Sequence, residues 1–203
     1  MDRSPLCLRI LPSLHKSEGT KEKMNKPKNA DKNPARDEFG TPDNGTDTIV
    51  PFLLDDVPVW ECAAGSGRMV ARLESYYPRF TAWGTTLGGG LFEDVDFLND
   101  KYMTPPQFQI VTNPPFSKKK EFYLRCRDYG VPFALLLPFD MCQWIHKAIF
   151  KDGCQGIVPD RRINYITPTG RSGKDSSAQF HSFWLTWGLG LDERFVGVEL
   201  KDI

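Results

Sequence analysis

The 203-residue chain has no excess charge of either sign, since 26 Lys and Arg face 26 Asp and Glu. That excludes the uniformly basic field with which many proteins coat nucleic acid, and leaves room for a local basic patch. The cysteines, Cys7, Cys62, Cys126, Cys142 and Cys154, are odd in number and form no C-x-x-C pair. Neither a disulfide framework nor a zinc ribbon fits that spacing, so reduced thiols, no bound metal and a cytoplasmic setting are expected. No apolar run approaches the roughly 20 residues of a membrane span. The early "PLCLRILPSL" is short and interrupted by Arg9 and Pro12, which argues against a secretory signal. An intracellular protein with no membrane partner is the expectation.

What is present suits one globular domain with an extension. The apolar fraction is 40%, and this length can bury one sizeable core. Residues 1–38 are rich in Lys, Asn, Pro and Asp with little apolar periodicity, so a disordered tail is expected there, with the folded domain spanning 39–203. From Phe39 onward strands and helices alternate. "VPVWE" (57–61) reads as a strand, "ECAAGSG" as a glycine turn, and "RMVARLESYY" as a helix with Met69, Val70, Leu73 and Tyr77 on one face. "RFTAWGTTL" and "FQIVTN" read as strands, and "KKKEFYLRCRDYG" as a helix closed by Gly130. "PFALLLPF" is apolar on both faces, as a strand covered on both sides should be. "MCQWIHKAIF" has helical spacing at Met141, Trp144, Ile145, Ala148 and Ile149, and "RINYIT" and "FHSFWLTW" read as late strands. This alternation predicts a Rossmann-like three-layer α/β/α sandwich around a mostly parallel, seven-stranded sheet.

Two strand ends carry chemistry. "IVTNPPFSKKK" (110–120) stops an apolar β-branched run on Asn113-Pro114-Pro115-Phe116. Proline cannot donate to a sheet ladder, and the residue before it is held extended, so Asn113 points out of the strand tip. An amide, a carbonyl and a rigid aromatic thus sit together. In "ECAAGSG", Glu61 ends a strand, while Gly65 and Gly67 let backbone approach a ligand at the start of a helix. The third glycine of a dinucleotide fingerprint is missing, which disfavours a pyrophosphate cofactor. Sheets of this kind bind ligands beyond the carboxyl ends of their strands, where both stretches fall. Each alone also fits an ordinary turn.

Together these stretches resemble the class I S-adenosylmethionine-dependent methyltransferases, specifically the amino-group enzymes with an Asn/Asp-Pro-Pro-aromatic signature. The similarity covers about residues 39–190 and is nearest to small phage and prophage adenine-specific DNA methyltransferases, which would place the chain in a host cytoplasm. It implies S-adenosylmethionine as cofactor, with Thr41 and Pro42 of "EFGTPD" near its methionine end. Glu61, Ala63, Gly65 and Gly67 would form the cofactor loop, and Asp96 and Phe97 of "VDFL" would meet its adenine. Where the family usually has an acid for the ribose, at the end of the second strand, this sequence has Thr86, and Glu93 and Asp94 are the nearby acids.

The implied substrate is the 6-amino group of adenine in DNA, single-stranded or flipped from the duplex. An RNA base or a protein glutamine amide is the alternative, because an amide nitrogen poses the same lone-pair problem; a module that binds cofactor or nucleic acid with weakened turnover is another. Catalysis would rest on Asn113, Pro114, Pro115 and Phe116. The amide oxygen and a proline carbonyl would orient the amine, and Phe116 would stack on the base. Lys118, Lys119 and Lys120 suit either a phosphate contact or a solvated helix start. Arg161, Arg162, Arg171 and Lys174 flank "TPTGRSGKDSSAQ", either a loop over the site or a plain exposed connection. His146, His181, Trp184 and Trp187 read as structural residues.

Overall fold

A computed structural model describes residues 39–88, 90–101, 104, 106–167 and 180–202. The expected tail, Arg171 and Lys174 lie outside the described residues. The elements are α1 (Asp43–Asp47), β1 (Val59–Glu61), α2 (Arg68–Glu74), β2 (Ala82–Thr86), β3 (Glu93–Asp94), β4 (Gln109–Thr112), α3 (Lys119–Tyr129), β5 (Phe133–Pro138), α4 (Gln143–Phe150), β6 (Gln155–Pro159), β7 (Ser182–Trp187) and β8 (Phe195–Val198). The strands form a single sheet in the order β3-β2-β1-β4-β5-β7-β6-β8. Only β7 runs against its neighbours; every other pairing is parallel.

Alternate strand residues enter two separate cores, one on each face. Val59, Val111, Ala134, Leu136, Ile157 and Trp184 pack with Met69, Val70 and Leu73 of α2. Trp60, Ile110, Phe133, Leu135, Phe183 and Leu185 pack with Phe122 and Cys126 of α3 and with Ile145 and Ile149 of α4. This period-two division is why these strands read as apolar throughout: both faces are covered. The fold is therefore the expected three-layer sandwich. The strand count is eight rather than seven.

Several expected elements change. "RINYIT" is no ladder strand: it is extended, and its only described pairing is the bridge from Ile166 to Gly40. Its buried Ile163 and Tyr165 supply an alternating pattern, because the segment packs inward without joining the sheet. β3, β6 and β8 are the unexpected strands, all five residues or shorter. Tyr77 lies past the end of α2 and is 71% exposed, and Met141 precedes α4 and is 42% exposed, so neither belongs to a core face. Gly130 closes α3 with φ of 67° and donates to the Cys126 and Arg127 carbonyls, as a left-handed cap should.

The strand order reverses at the centre. From β1 the chain moves through α2 to β2 on one side, whereas β4 lies against the other side of β1. The crevice above such a reversal is where open α/β sheets take ligands. The loops leaving β1 and β4, residues 62–67 and 113–115, border it.

Candidate active site

β4 ends at Thr112, as the prolines require. Pro115 is extended (φ −51°, ψ 122°) and seats a 3-10 turn over Phe116–Lys118 that runs into α3. Asn113 Nδ2 donates to the Phe39 carbonyl at 3.0 Å. A carbonyl can only accept, so this bond fixes which way the amide faces. Asn113 Oδ1 is buried and makes no hydrogen bond within the protein.

Thr41 Oγ1 and Thr112 Oγ1 are in the same condition. Among the described residues only four buried side-chain polar atoms lack such a partner. The fourth, on Arg127, belongs to a guanidinium 4.4 Å from the Trp187 ring centroid. The other three sit on residues 39–42 ahead of α1, the leader segment, and on the end of β4, which the Asn113–Phe39 bond ties together. Leaving such a group unsatisfied costs roughly 1–3 kcal/mol, so a concentration of them at one sheet end marks a place built to meet a polar ligand.

The glycine turn closes the other side of the crevice. Its Ala64 amide donates to the Thr85 carbonyl at 2.9 Å and its Gly67 amide to the Ala64 carbonyl at 2.7 Å. Gly65 (φ 51°) is exposed, and a Cβ there would meet nothing closer than 3.9 Å. Gly67 (φ 79°) differs: a Cβ would lie 2.6 Å from the Phe92 ring. The same ring leaves no room for a Cβ on Gly84. Gly65 therefore keeps open space over the turn, and Gly67 serves packing. A groove of about 540 Å³ runs between α2 and β2–β3 past Gly67, Val70, Glu74 and Phe92. It holds none of Thr41, Glu61, Asn113 or Phe116.

Glu61 is buried, 2% exposed, at the tip of β1. Its Oε1 accepts the Ala63 amide at 3.0 Å. Burial pushes its carboxyl up to about 7; the Thr112 hydroxyl and the Ala63 and Asn113 amides pull the other way. Of these three, the Ala63 contact is a well-formed hydrogen bond, while the Thr112 hydroxyl approaches without closing one.

At the tip of β2, Thr86 is in register with Asp94 of β3. The exposed Asp94 carboxylate, which also accepts the Gly88 amide at 2.7 Å, thus stands beside the hydroxyl where the charged group was missing. Asp96 works as a turn acid: its oxygens accept the Leu98 amide at 3.0 Å and the Asn99 side chain at 2.7 Å. Phe97 is 3% exposed and stacks on Phe122 and Tyr129. Its ring belongs to the core, and its carbonyl accepts Arg125 Nε at 3.1 Å.

Phe116 is half-buried. Tyr165 and Phe180 meet it at interplanar angles of 83° and 79°, so neither stacks on it. Phe39 packs against Tyr165 in turn. Phe39, Tyr165 and Phe180 carry no local signal in the sequence; only the fold gathers these distant rings around Phe116. Pro42 caps α1 without a side-chain bond, and Pro114 is buried. Lys119 is tied to Asp140 at 2.5 Å and Lys118 lies 3.9 Å from Glu121, while Lys120 is exposed. Arg161 pairs with Asp202 at 2.7 Å. Trp184 is fully buried and donates to Thr48, Trp187 stacks on Phe133, and His146 stacks on Phe150, so these are structural.

No family model matches the chain, and no curated protein matches its sequence. Among solved structures it is similar to a precorrin-6y C5,15-methyltransferase from Geobacter metallireducens GS-15, with TM-score 0.48 and 13% identity over 75% of this chain and 95% of that one. It is also similar to the 23S rRNA methyltransferase ErmE, with TM-score 0.40 and 12% identity over 70% of this chain and 65% of that one. Overlap this partial carries no information about what this chain binds. Among the described residues no group of His, Cys, Asp and Glu could hold a metal, and no helix is long and apolar enough to cross a membrane.

Proposed function

We propose that this chain is an S-adenosylmethionine-dependent amino-group methyltransferase acting on the 6-amino group of adenine in DNA, presented as a single strand or as a flipped base. The observation that carries the reading is Asn113 Oδ1: a buried acceptor with no partner, held in one direction by Phe39, at the reversal point of the sheet. S-adenosylmethionine supplies an electrophilic methyl group on a positively charged sulfur. The residues present suit it. Gly65 keeps open space, Thr41 offers a buried hydroxyl without a partner, and Thr86 with Asp94 offers a hydroxyl and a carboxylate for sugar hydroxyls.

An exocyclic amine on a base is a poor nucleophile because its lone pair is delocalised into the ring. In this reading, Asn113 Oδ1 and the Pro114 carbonyl accept its two N–H groups and so favour a pyramidal nitrogen with its lone pair free. The prolines hold both acceptors rigid, so the orientation is prepaid when the amine arrives. Phe116, with neither neighbouring ring stacked on it, suits a planar base, and Phe39, Tyr165 and Phe180 wall its surroundings. That aromatic wall favours a base over an aliphatic amide. Lys118 and Lys120 are exposed beside it and are suited to backbone phosphate.

The test is to incubate the protein with methyl-labelled S-adenosylmethionine and separate single-stranded DNA, duplex DNA, RNA and protein pools. Label in adenine of DNA is expected. Label in RNA or in glutamine side chains would keep the chemistry and change the substrate. No transfer to any pool, with a cofactor that binds, would favour a module without turnover.

A further inference from the structure

The direction of the Asn113 amide is set from outside its own strand. A side-chain amide turns on a terminal torsion that is broad and roughly two-fold, so its shape alone does not decide which end faces the crevice. The Phe39 backbone carbonyl decides it. That carbonyl accepts Nδ2 at 3.0 Å, and a turned-over amide would set oxygen against oxygen. The end left over, Oδ1, is the buried acceptor without a partner.

The carbonyl is itself held in place. Gly40, the next residue, forms an antiparallel bridge with Ile166: its amide donates to the Ile166 carbonyl and the Ile166 amide donates to its own carbonyl, both at 2.9 Å. Tyr165, beside Ile166, is fully buried, packs on Phe39 with ring centroids 6.2 Å apart, and shares a 2.8 Å hydrogen bond with Ser182 at the start of β7. Beyond α1, Thr48 accepts the Trp184 indole of β7 at 2.8 Å. One sheet strand thus anchors the chain on both sides of the leader, and the Phe39 carbonyl hangs from that frame.

We propose that the Phe39 carbonyl is a positioning group for the acceptor half of the site, and that the Gly40–Ile166 bridge keeps it on station so that Asn113 Oδ1 stays turned toward the substrate amine. This rests on the methyltransferase reading of the site. The bridge touches no substrate and acts only through Asn113. It also gives residue 113 a reason to be an amide: one side chain must donate to a carbonyl and accept an amine N–H at once, and an ionised carboxylate there would face the Phe39 carbonyl with oxygen.

The experiment uses the full-length protein and opens the bridge from either side. Gly40→Pro puts a ring carbon where the amide proton meets the Ile166 carbonyl, and Ile166→Pro does the same to the reciprocal bond. Gly40→Ala, whose Cβ would lie 3.6 Å from Ile166 Cβ, is the conservative variant and keeps both bonds. By NMR, the wild type and Gly40→Ala should show slowly exchanging Asn113 side-chain amide protons with a nuclear Overhauser contact to Phe39 or Gly40. Both proline variants should show faster exchange and lose that contact. Their kcat with methyl-labelled S-adenosylmethionine should fall on the order of tenfold, the scale of one lost hydrogen bond, with Gly40→Ala within about twofold of the wild type. In an Asn113→Ala background the same prolines should change the residual rate by less than about twofold, because a group that acts through Asn113 has nothing left to act on. Folded proline variants with wild-type turnover overturn the proposal. So does an equal loss with and without Asn113, which a general loosening of the site would give. Freely exchanging Asn113 amide protons in the wild type also overturn it, and that result needs no variant to fold. If no acceptor is methylated at all, the methyltransferase reading falls, and the amide exchange still decides whether Phe39 orients Asn113.

Discussion

Glu61 makes the protein's stability depend on pH in a direction opposite to the usual carboxylate. A paired acid has a lowered pKa and stabilises the fold above it; Glu61 is raised from 4.5 to about 7 by burial. The folded state therefore holds its proton more tightly than the unfolded chain does. The stabilising contribution is fully present below 4.5 and is lost as pH rises through 7. At about 1.36 kcal/mol per pKa unit, the shift from 4.5 to about 7 is worth about 3 kcal/mol, most of it falling between pH ~5 and ~8. Many other carboxylates titrate in acid, so the wild type alone cannot isolate this. Glu61→Gln keeps the shape and cannot titrate, and the difference between the two proteins removes the shared background. Urea unfolding at several pH values should show the variant gaining about 2–3 kcal/mol on the wild type from pH ~5 to ~8. Two parallel curves would refute the reasoning, since they would mean that the carboxyl is hydrated or ionises freely in the fold.

The two glycines of the turn should separate by phenotype. Gly65→Ala meets no neighbour but is held at φ 51°, so left-handed strain alone should cost about 1–2 kcal/mol of stability, seen in the melting temperature, while calorimetry shows weakened S-adenosylmethionine binding. Gly67→Ala drives a Cβ to 2.6 Å from Phe92 and should cost about 1–3 kcal/mol as an overpacked site; adding Phe92→Ala should recover part of that penalty in denaturant unfolding if the clash is the cause. Asn113→Ala should leave cofactor affinity nearly unchanged and lower transfer by about 10²–10³, the usual loss for a preorganised acceptor or donor, and a wild-type rate would make Asn113 an ordinary turn residue. Phe116→Ala should weaken use of a nucleic-acid substrate by roughly 1–3 kcal/mol in the ratio of kcat/KM values.

Most of the sheet was legible because its central strands face two cores. "PFALLLPF" and "FQIVTN" are apolar on both sides, and α3 and α4 carry helical spacing against them. β3 was invisible for the opposite reason: two exposed acids have no pattern to detect. β6 and β8 are brief and contain Pro159 and Gly197, residues that read as turns. "RINYIT" misled because alternation reports burial of every second residue, and a segment strapped across the leader buries Ile163 and Tyr165 as well as a ladder strand would. At the site, the strand end before Asn113 and the left-handed turn at Gly65 were readable from local backbone chemistry. The packing of Gly67 against Phe92 was not, since that ring lies 25 residues away and only the close approach of the chains puts it there. Thr112 and Phe180 carry no local signal either; burial without a partner and ring contact exist only once the strands are assembled.

The sheet's β3 side ends on a stub. Parallel neighbours ordinarily need a crossover of a dozen residues or more, but β2 and β3 are separated by residues 87–92 alone. So short a link lets only Glu93 and Asp94 pair, and it leaves Leu87 and Leu91 72% and 84% exposed. Exposed leucines beside a sheet margin would ordinarily invite strands from other molecules to add on. A docking strand would find two residues to pair with, each bearing an exposed carboxylate, and a second copy arriving edge to edge would bring four carboxylates together. The truncated crossover thus acts as a fence against growth of the sheet between molecules, two charged residues standing guard over leucines that would otherwise be an open margin.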